Sequence, residues 1–195
     1  MPDDLAKWRL RKEGLILHLN LPTQVFHFLF IGNGYLRKGL SQLLHGLSLL
    51  KTRDFHLSVV GKDNKMEEYI EKAASYGLKN HVRFFGPRSD MRPFYQLADA
   101  LAIPSFYDPF ANVTVEALAM GLFVVSSRYN GGHEILTEQN GLILEDLLHP
   151  DALSQALCHA LKHPKTLASA KERRESVCHL DFSKQLSQLT EACFE

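Results

Sequence analysis

Two acids, Asp108 and Glu116, bracket the stretch Asp108-Pro109-Phe110-Ala111-Asn112-Val113-Thr114-Val115-Glu116. Asp108 comes after an apolar run, and Glu116 lies in a helix-forming segment that closes on Gly121. Both acids therefore sit around one strand-to-helix turn, where open α/β sheets hold ligands beside helix N-termini that attract anions. Asp108-Pro109 also suits a helix cap and the first helical position after it. Glu116 reads either as an exposed helix residue or as a carboxylate among apolar neighbours, Val113, Val115, Ala117, Leu118 and Met120. On the second reading the helix is expected to be buried, and a buried carboxylate needs a partner. Ribose hydroxyls would serve, as they do for the acid of other nucleotide-binding α/β folds.

Cations are supplied elsewhere. Gly32-Asn33-Gly34 invites a dinucleotide fingerprint, but the third glycine of that pattern would fall at Arg37, so the fingerprint fails and argues against a nicotinamide oxidoreductase. The chain instead places Arg37-Lys38-Gly39 there, two cations at a helix start, where side-chain charge and helix dipole together suit a diphosphate; a solvated basic turn is the other reading. No phosphate loop of the Gly-x-x-x-x-Gly-Lys-Ser/Thr type is present. Asn130-Gly131-Gly132-His133-Glu134 is a turn whose glycines let a ligand, or simply the chain itself, come close to the backbone.

The 195 residues suffice for one well-buried core. Lys+Arg and Asp+Glu both number 22, so no global field favours nucleic acid, and anion binding must be local. Cys158, Cys178 and Cys193 lack metal-ligand or redox spacing and indicate a reducing compartment. The ten histidines read as solvated or core residues, and no metal site is expected. No apolar stretch approaches the ~20 residues that span a bilayer, and the start is unlike a signal peptide, so a soluble, cytoplasmic chain is expected.

The elements that must carry these residues alternate. Strands are expected over 25–31, 56–60, 82–85, 98–103, 122–126 and 142–144, with helices over 39–50 and 65–76, from Asp90 to 97, and through Glu116. Continuous apolar strands alternating with helices define the fold class as α/β, a Rossmann-like doubly wound parallel sheet of about six strands. Helices are expected over 151–161, 164–178 and 182–194. Residues 1–24 read as a linker with an amphipathic helical start, 25–178 as the Rossmann-like unit and 179–195 as a terminal helix, whose apolar stripe is Phe182, Leu186, Leu189, Ala192 and Cys193.

In their order these pieces resemble the C-terminal, donor-binding half of retaining GT-B glycosyltransferases, in particular the lipopolysaccharide-core glucosyltransferases. The resemblance runs from about Val25 to Leu161. It is carried by Gly32-Asn33-Gly34-Tyr35-Leu36-Arg37-Lys38-Gly39, Val59-Val60-Gly61, Val82-Arg83-Phe84-Phe85-Gly86, Ala98-Asp99-Ala100, Pro104-Ser105 and the acid pair. It implies that Arg37 and Lys38 hold the diphosphate, Asp108 the donor-sugar hydroxyls and Glu116 the ribose. Backbone N–H groups of Ala111, Asn112 and Val113 would meet phosphate and sugar, and the Gly86-Pro87-Arg88 loop the base, with Gly34 and Phe110 in the same donor set. No metal or other cofactor is implied, because cations and helix dipole stabilise the leaving group.

The resemblance further implies a nucleotide sugar, UDP-linked, as donor, and a cell-envelope glycan such as the lipopolysaccharide core as acceptor. The acceptor would be held by an N-terminal domain that this chain is expected to lack, leaving an inactive donor-binding fragment. A peripheral membrane contact of the full enzyme and a homodimer through the terminal helix are the further partners implied. Two departures stand out: the first acid is Asp where this family commonly has Glu, and the small stretch after Phe110 begins with Ala111 instead of Gly. The alternative from another class is a non-catalytic nucleotide-binding module that docks on a separate acceptor-domain chain.

Overall fold

The computed structural model describes residues 5–180; the terminal-helix expectation, with its apolar stripe and dimer, lies outside them. Six strands form one sheet: β1 (Phe26–Ile31), β2 (Phe55–Val60), β3 (Val82–Gly86), β4 (Ala100–Ile103), β5 (Phe123–Ser127) and β6 (Gly141–Leu144). Their order is β3-β2-β1-β4-β5-β6 and every pairing is parallel. Parallel strands need crossovers, and α2 (Leu40–Ser48), α3 (Met66–Ser75), α4 (Arg92–Leu97) and α5 (Asn112–Ala119) supply four of them, a short 3-10 helix at Gly131–Ile135 lying in the fifth, while α6 (Pro150–Ala160) follows the last strand. Around these lie α1 (Leu5–His18) and α7 (Leu167–Glu175).

The sheet is covered on both sides, which is why its strands read as apolar runs without alternation. Successive residues of β1 go to opposite faces: Phe28 and Phe30 join Leu40, Leu43, Leu44 and Leu47 of α2, while Leu29 and Ile31 join Phe94, Tyr95, Ala117 and Leu118 of α4 and α5. β1 thus leads into a helix on one face and β4 into a helix on the other. The crevice between the carboxyl ends of these adjacent strands is the topological switch point.

Several boundaries depart from the sequence expectation. α1 runs on through Leu15-Ile16-Leu17, packs against α4 and buries Ile16, so the segment read as linker is helical and contributes to the second core. Asp90 does not cap α4 as its N-cap residue, which is Met91; it accepts the Arg92 amide from just outside. The helix expected from residue 164 begins at Leu167, where Thr166 and Ser169 form a reciprocal capping box.

Asp99, one of the residues carrying the resemblance, ties the amino ends of β1 and β4 together. Its Oδ2 accepts the His27 amide at 3.0 Å, and its Oδ1 accepts Lys12 Nζ at 2.7 Å and the Lys165 amide at 3.2 Å. That is the edge of the sheet opposite the crevice.

Candidate functional site

The crevice is built from two loops. The first, between β1 and α2, is anchored by Tyr35, which is fully buried and donates its hydroxyl to Gly61 O at 3.0 Å, while its amide donates to Asp63 Oδ2 at 2.6 Å. Gly39 closes the loop in the left-handed region at φ 75°, and a Cβ there would lie 1.9 Å from Pro104 O. Glycine is thus required both by the backbone angle and by the neighbouring loop. Gly32, half of the failed fingerprint, has a different use: a Cβ on it would meet Lys38 Cγ at 2.8 Å. The missing side chain opens the lane along which the lysine stem runs.

Lys38 reaches Asp108. Its Nζ donates to Asp108 Oδ2, and Arg37 Nη1 donates to the same oxygen at 3.3 Å and to Tyr107 O at 2.8 Å. Lys38 and Asp108 are both buried, whereas Arg37 is exposed. Burial alone would raise the Asp108 carboxyl, but the hydrogen bonds and charges of Lys38 and then Arg37 outweigh it and hold the group below its usual range. Asp108 is therefore not a helix cap: α5 begins at Asn112, with Ala111 as its N-cap residue.

The second loop is held by Asn130, which is fully buried. Its Oδ1 accepts the Ala111 and Gly132 amides, each at 3.1 Å, and its Nδ2 donates to Ser126 Oγ at 2.9 Å and Thr114 Oγ1 at 3.4 Å. All its side-chain hydrogen-bonding groups are engaged. The backbone beside it zips onto the acid, with the Asp108 amide donating to Tyr129 O and the Gly131 amide to Asp108 O. Sequence reasoning noticed Asn130 only as part of a turn, and the Asn-Gly-Gly run was its one signal. The same bond commits the Ala111 amide, so of the three amides expected to meet a ligand those of Asn112 and Val113 remain, in a first turn with no carbonyl four residues back.

Glu116 is exposed, contrary to the expectation of a buried helix. Only Thr114, Ala117 and Leu118 of α5 are buried, because the short helix turns one side to the core and leaves Val113 and Val115 half-covered. The carboxylate nevertheless has a partner: Tyr95 of α4 donates its hydroxyl to Glu116 Oε2 at 2.5 Å. Gly86-Pro87-Arg88 lies at the end of β3 with Pro87 and Arg88 exposed, and the Arg88 guanidinium lies 5.9 Å from the Phe85 ring. Three strand spacings separate β3 from β4, about 14 Å, on the order of a nucleoside diphosphate's length. The structure therefore unites Arg37, Lys38 and Asp108 directly, places Gly34, Phe110, Asn112, Val113 and Glu116 on the two loops and the helix flanking them, and sets the 86–88 loop apart along the same edge. Among the described residues no three His, Cys, Asp or Glu side chains are grouped to hold a metal ion. No described helix is long and apolar enough to cross a membrane.

A six-stranded parallel sheet in this order, with an ionic cluster at its switch point, is an α/β unit of the GT-B glycosyltransferase type. WaaG, a glycosyltransferase involved in lipopolysaccharide biosynthesis, superposes with a TM-score of 0.76 at 25% identity, over 85% of this chain and 46% of that one. HepE of Anabaena, solved in complex with UDP, shares the fold with a TM-score of 0.83 at 21% identity, over 97% and 55% of the two chains. The chain belongs to the family described as glycosyl transferases group 1, whose profile matches residues 25–163. Relatives include the D-inositol 3-phosphate glycosyltransferase of Corynebacterium diphtheriae, 30% identical over 187 residues, and the lipopolysaccharide glucosyltransferase WaaG of Escherichia coli, 28% identical over 169. They are matched over 82% and 84% of this chain, which spans 43% of the length of each.

Proposed function

We propose that this chain binds the nucleoside diphosphate sugar donor, UDP-linked, of a retaining glycosyltransferase that extends a cell-envelope glycan such as the lipopolysaccharide core. The observation that carries this reading is the meeting of Lys38, Arg37 and Asp108 across the β1–β4 switch point. Two cations there match a diphosphate, and the open first turn of α5 adds amides and a positive dipole end. Asp108 and Glu116 offer acceptors for the hydroxyls of donor sugar and ribose.

In the transfer, the bond between the anomeric carbon and the diphosphate breaks with its electron pair leaving on the phosphate oxygen. Arg37 and Lys38 stabilise that charge. The acceptor hydroxyl attacks from the same face as its proton passes to the departing phosphate oxygen, so the anomeric configuration is retained without a protein nucleophile. Orientation of both substrates supplies much of the rate, so transfer requires an acceptor-binding surface facing the crevice. Support for the UDP and envelope-glycan parts comes from the named relatives and from the UDP held by HepE.

Calorimetry with UDP, GDP, ADP and their sugars tests the reading, with Lys38→Ala and Glu116→Ala as variants. UDP-sugar binding that both variants weaken is the expected result. Binding of none of these nucleotides, or binding indifferent to both substitutions, refutes the assignment.

A further inference from the structure

We infer that Tyr95 is the positioning residue of the ribose-binding carboxylate: its buried hydroxyl holds Glu116 in the one orientation that faces the nucleoside. The inference rests on the reading of Glu116 as the ribose ligand and adds to it a residue from a different element.

The placement is unusual for a surface carboxylate. An exposed glutamate on a helix samples several rotamers, and fixing it carries an entropic penalty that a ligand would otherwise have to supply. Here Tyr95, itself 4% exposed, reaches from the second core to Glu116 Oε2 at 2.5 Å. It belongs to the same buried apolar cluster as Phe94, Ala117 and Leu118, which restrains its ring. Its backbone is fixed as well, since the buried Lys165 donates Nζ to Tyr95 O at 2.8 Å and to Gln96 O at 3.2 Å, while the Lys165 amide is tied to Asp99. A side chain so restrained at both ends is a rigid donor. Burial, then the hydrogen bond and charge of Glu116, push the phenol above its ordinary value, so the hydroxyl keeps its proton.

The valence count leaves room for the ligand. An ionised carboxylate offers about four lone-pair positions; the tyrosine hydroxyl occupies one, and the 2′- and 3′-hydroxyls of a ribose would need two more. The tyrosine therefore orients the acid without blocking it. Phenylalanine at this position keeps the ring and removes only the oxygen, which makes the role separable from core packing.

The test measures the affinity of UDP and of 2′,3′-dideoxy-UDP for the full chain and for Tyr95→Phe, Glu116→Gln and the double variant, with thermal unfolding as a control. Tyr95→Phe is expected to weaken UDP about five- to tenfold and the dideoxy analogue less than about twofold, with little further loss in the double variant beyond Glu116→Gln. Equal weakening of both nucleotides would assign Tyr95 a general structural role and overturn the inference. Undiminished UDP binding by Tyr95→Phe, while Glu116→Gln weakens UDP more than the dideoxy analogue, would also overturn it while leaving the ribose reading intact. If Glu116→Gln weakens UDP and its dideoxy analogue equally, or weakens neither, the ribose reading falls and the inference with it.

Discussion

Asp108→Asn is expected to strengthen binding of a bare nucleoside diphosphate while weakening the preference for one that carries a sugar. The cations proposed for the diphosphate are both already paired with Asp108, which cancels one of their two charges, so a ligand must share or displace that carboxylate. The side chains of Lys38 and Asp108 are 10% and 11% exposed, against 48% for Arg37, so most of the energy lies in the lysine pair. Removing one partner of a fully buried pair costs about 3–5 kcal/mol. At the mouth of a crevice, with an amide oxygen still available to accept, about 1–2 kcal/mol is expected. The unliganded protein bears that loss, and a diphosphate relieves it by restoring negative charge beside Lys38.

In affinity terms the relief is roughly five- to thirtyfold tighter UDP. Without ligand, the melting temperature should fall by roughly 2–8 °C for a chain of this size. Calorimetry with UDP and UDP-glucose, paired with thermal unfolding, reads both effects, and the ratio of UDP-glucose to UDP affinity should fall because a charged acceptor for the sugar hydroxyls is lost. The pH control has a definite sign. Because the Asp108 carboxyl is held below its ordinary value, its stabilisation is present above about pH 4 and is lost only as pH falls further, so the difference between wild type and variant should be constant from about pH 8 to 5. A variant with lowered stability but unchanged or weaker UDP binding would refute the competition between carboxylate and diphosphate.

The packing dictates three other outcomes. Asn130→Ala strands the Ala111 and Gly132 amides and should lower stability by about 2–4 kcal/mol in urea unfolding, with donor binding lost alongside. Gly39→Ala puts a side chain into the left-handed region and against Pro104 O, and should destabilise by about 2 kcal/mol or more in the same assay, misplacing Lys38 as it does so. His27 and His56 are pushed down to about 4, chiefly by burial, so the folded chain keeps them neutral while the unfolded chain protonates near 6.5. Stability should thus decline as pH falls from about 6.5 towards 4, by up to about 3 kcal/mol per histidine, and His56→Leu, which also removes ring nitrogens with no hydrogen-bond partner, should flatten a melting-temperature profile over that range.

Features that depend on local order were legible in the sequence. Strands buried on both faces announce themselves as apolar runs, and the leucines of α2 repeat at helical spacing, so the fold class and the loops that bear the site could be read from the pattern. The Arg37-Lys38 pair and the acid pair were legible too, because each lies within one loop and helix. Features that depend on partners distant in sequence escaped. Asp108 reads as readily as a cap as a site residue until the lysine 70 residues away is seen on it, and Glu116 reads as either exposed or buried until α5 is seen to turn only one side to the core. Asn130 looks like any turn residue because the groups it satisfies lie on three other segments, and Gly32 looks like a broken fingerprint because its function is to make room for the side chain of Lys38.

These missed contacts share one physical origin, which bears on how the crevice works when empty. Each charged side chain that a donor would engage already has a partner supplied by the chain, Asp108 for the two cations and Tyr95 for Glu116, and Asn130 holds the Ala111 amide beside the open amides of Asn112 and Val113. A half-buried polar site without ligand would otherwise leave charges and donors unsatisfied, at about 1–3 kcal/mol for each. The partners differ in kind. Asn130 and Tyr95 are buried and fully restrained, so they remain in place and shape the site. Asp108 sits between the cations themselves and must yield or share when a diphosphate arrives, which makes it the one member of the set whose removal should help one ligand and harm another.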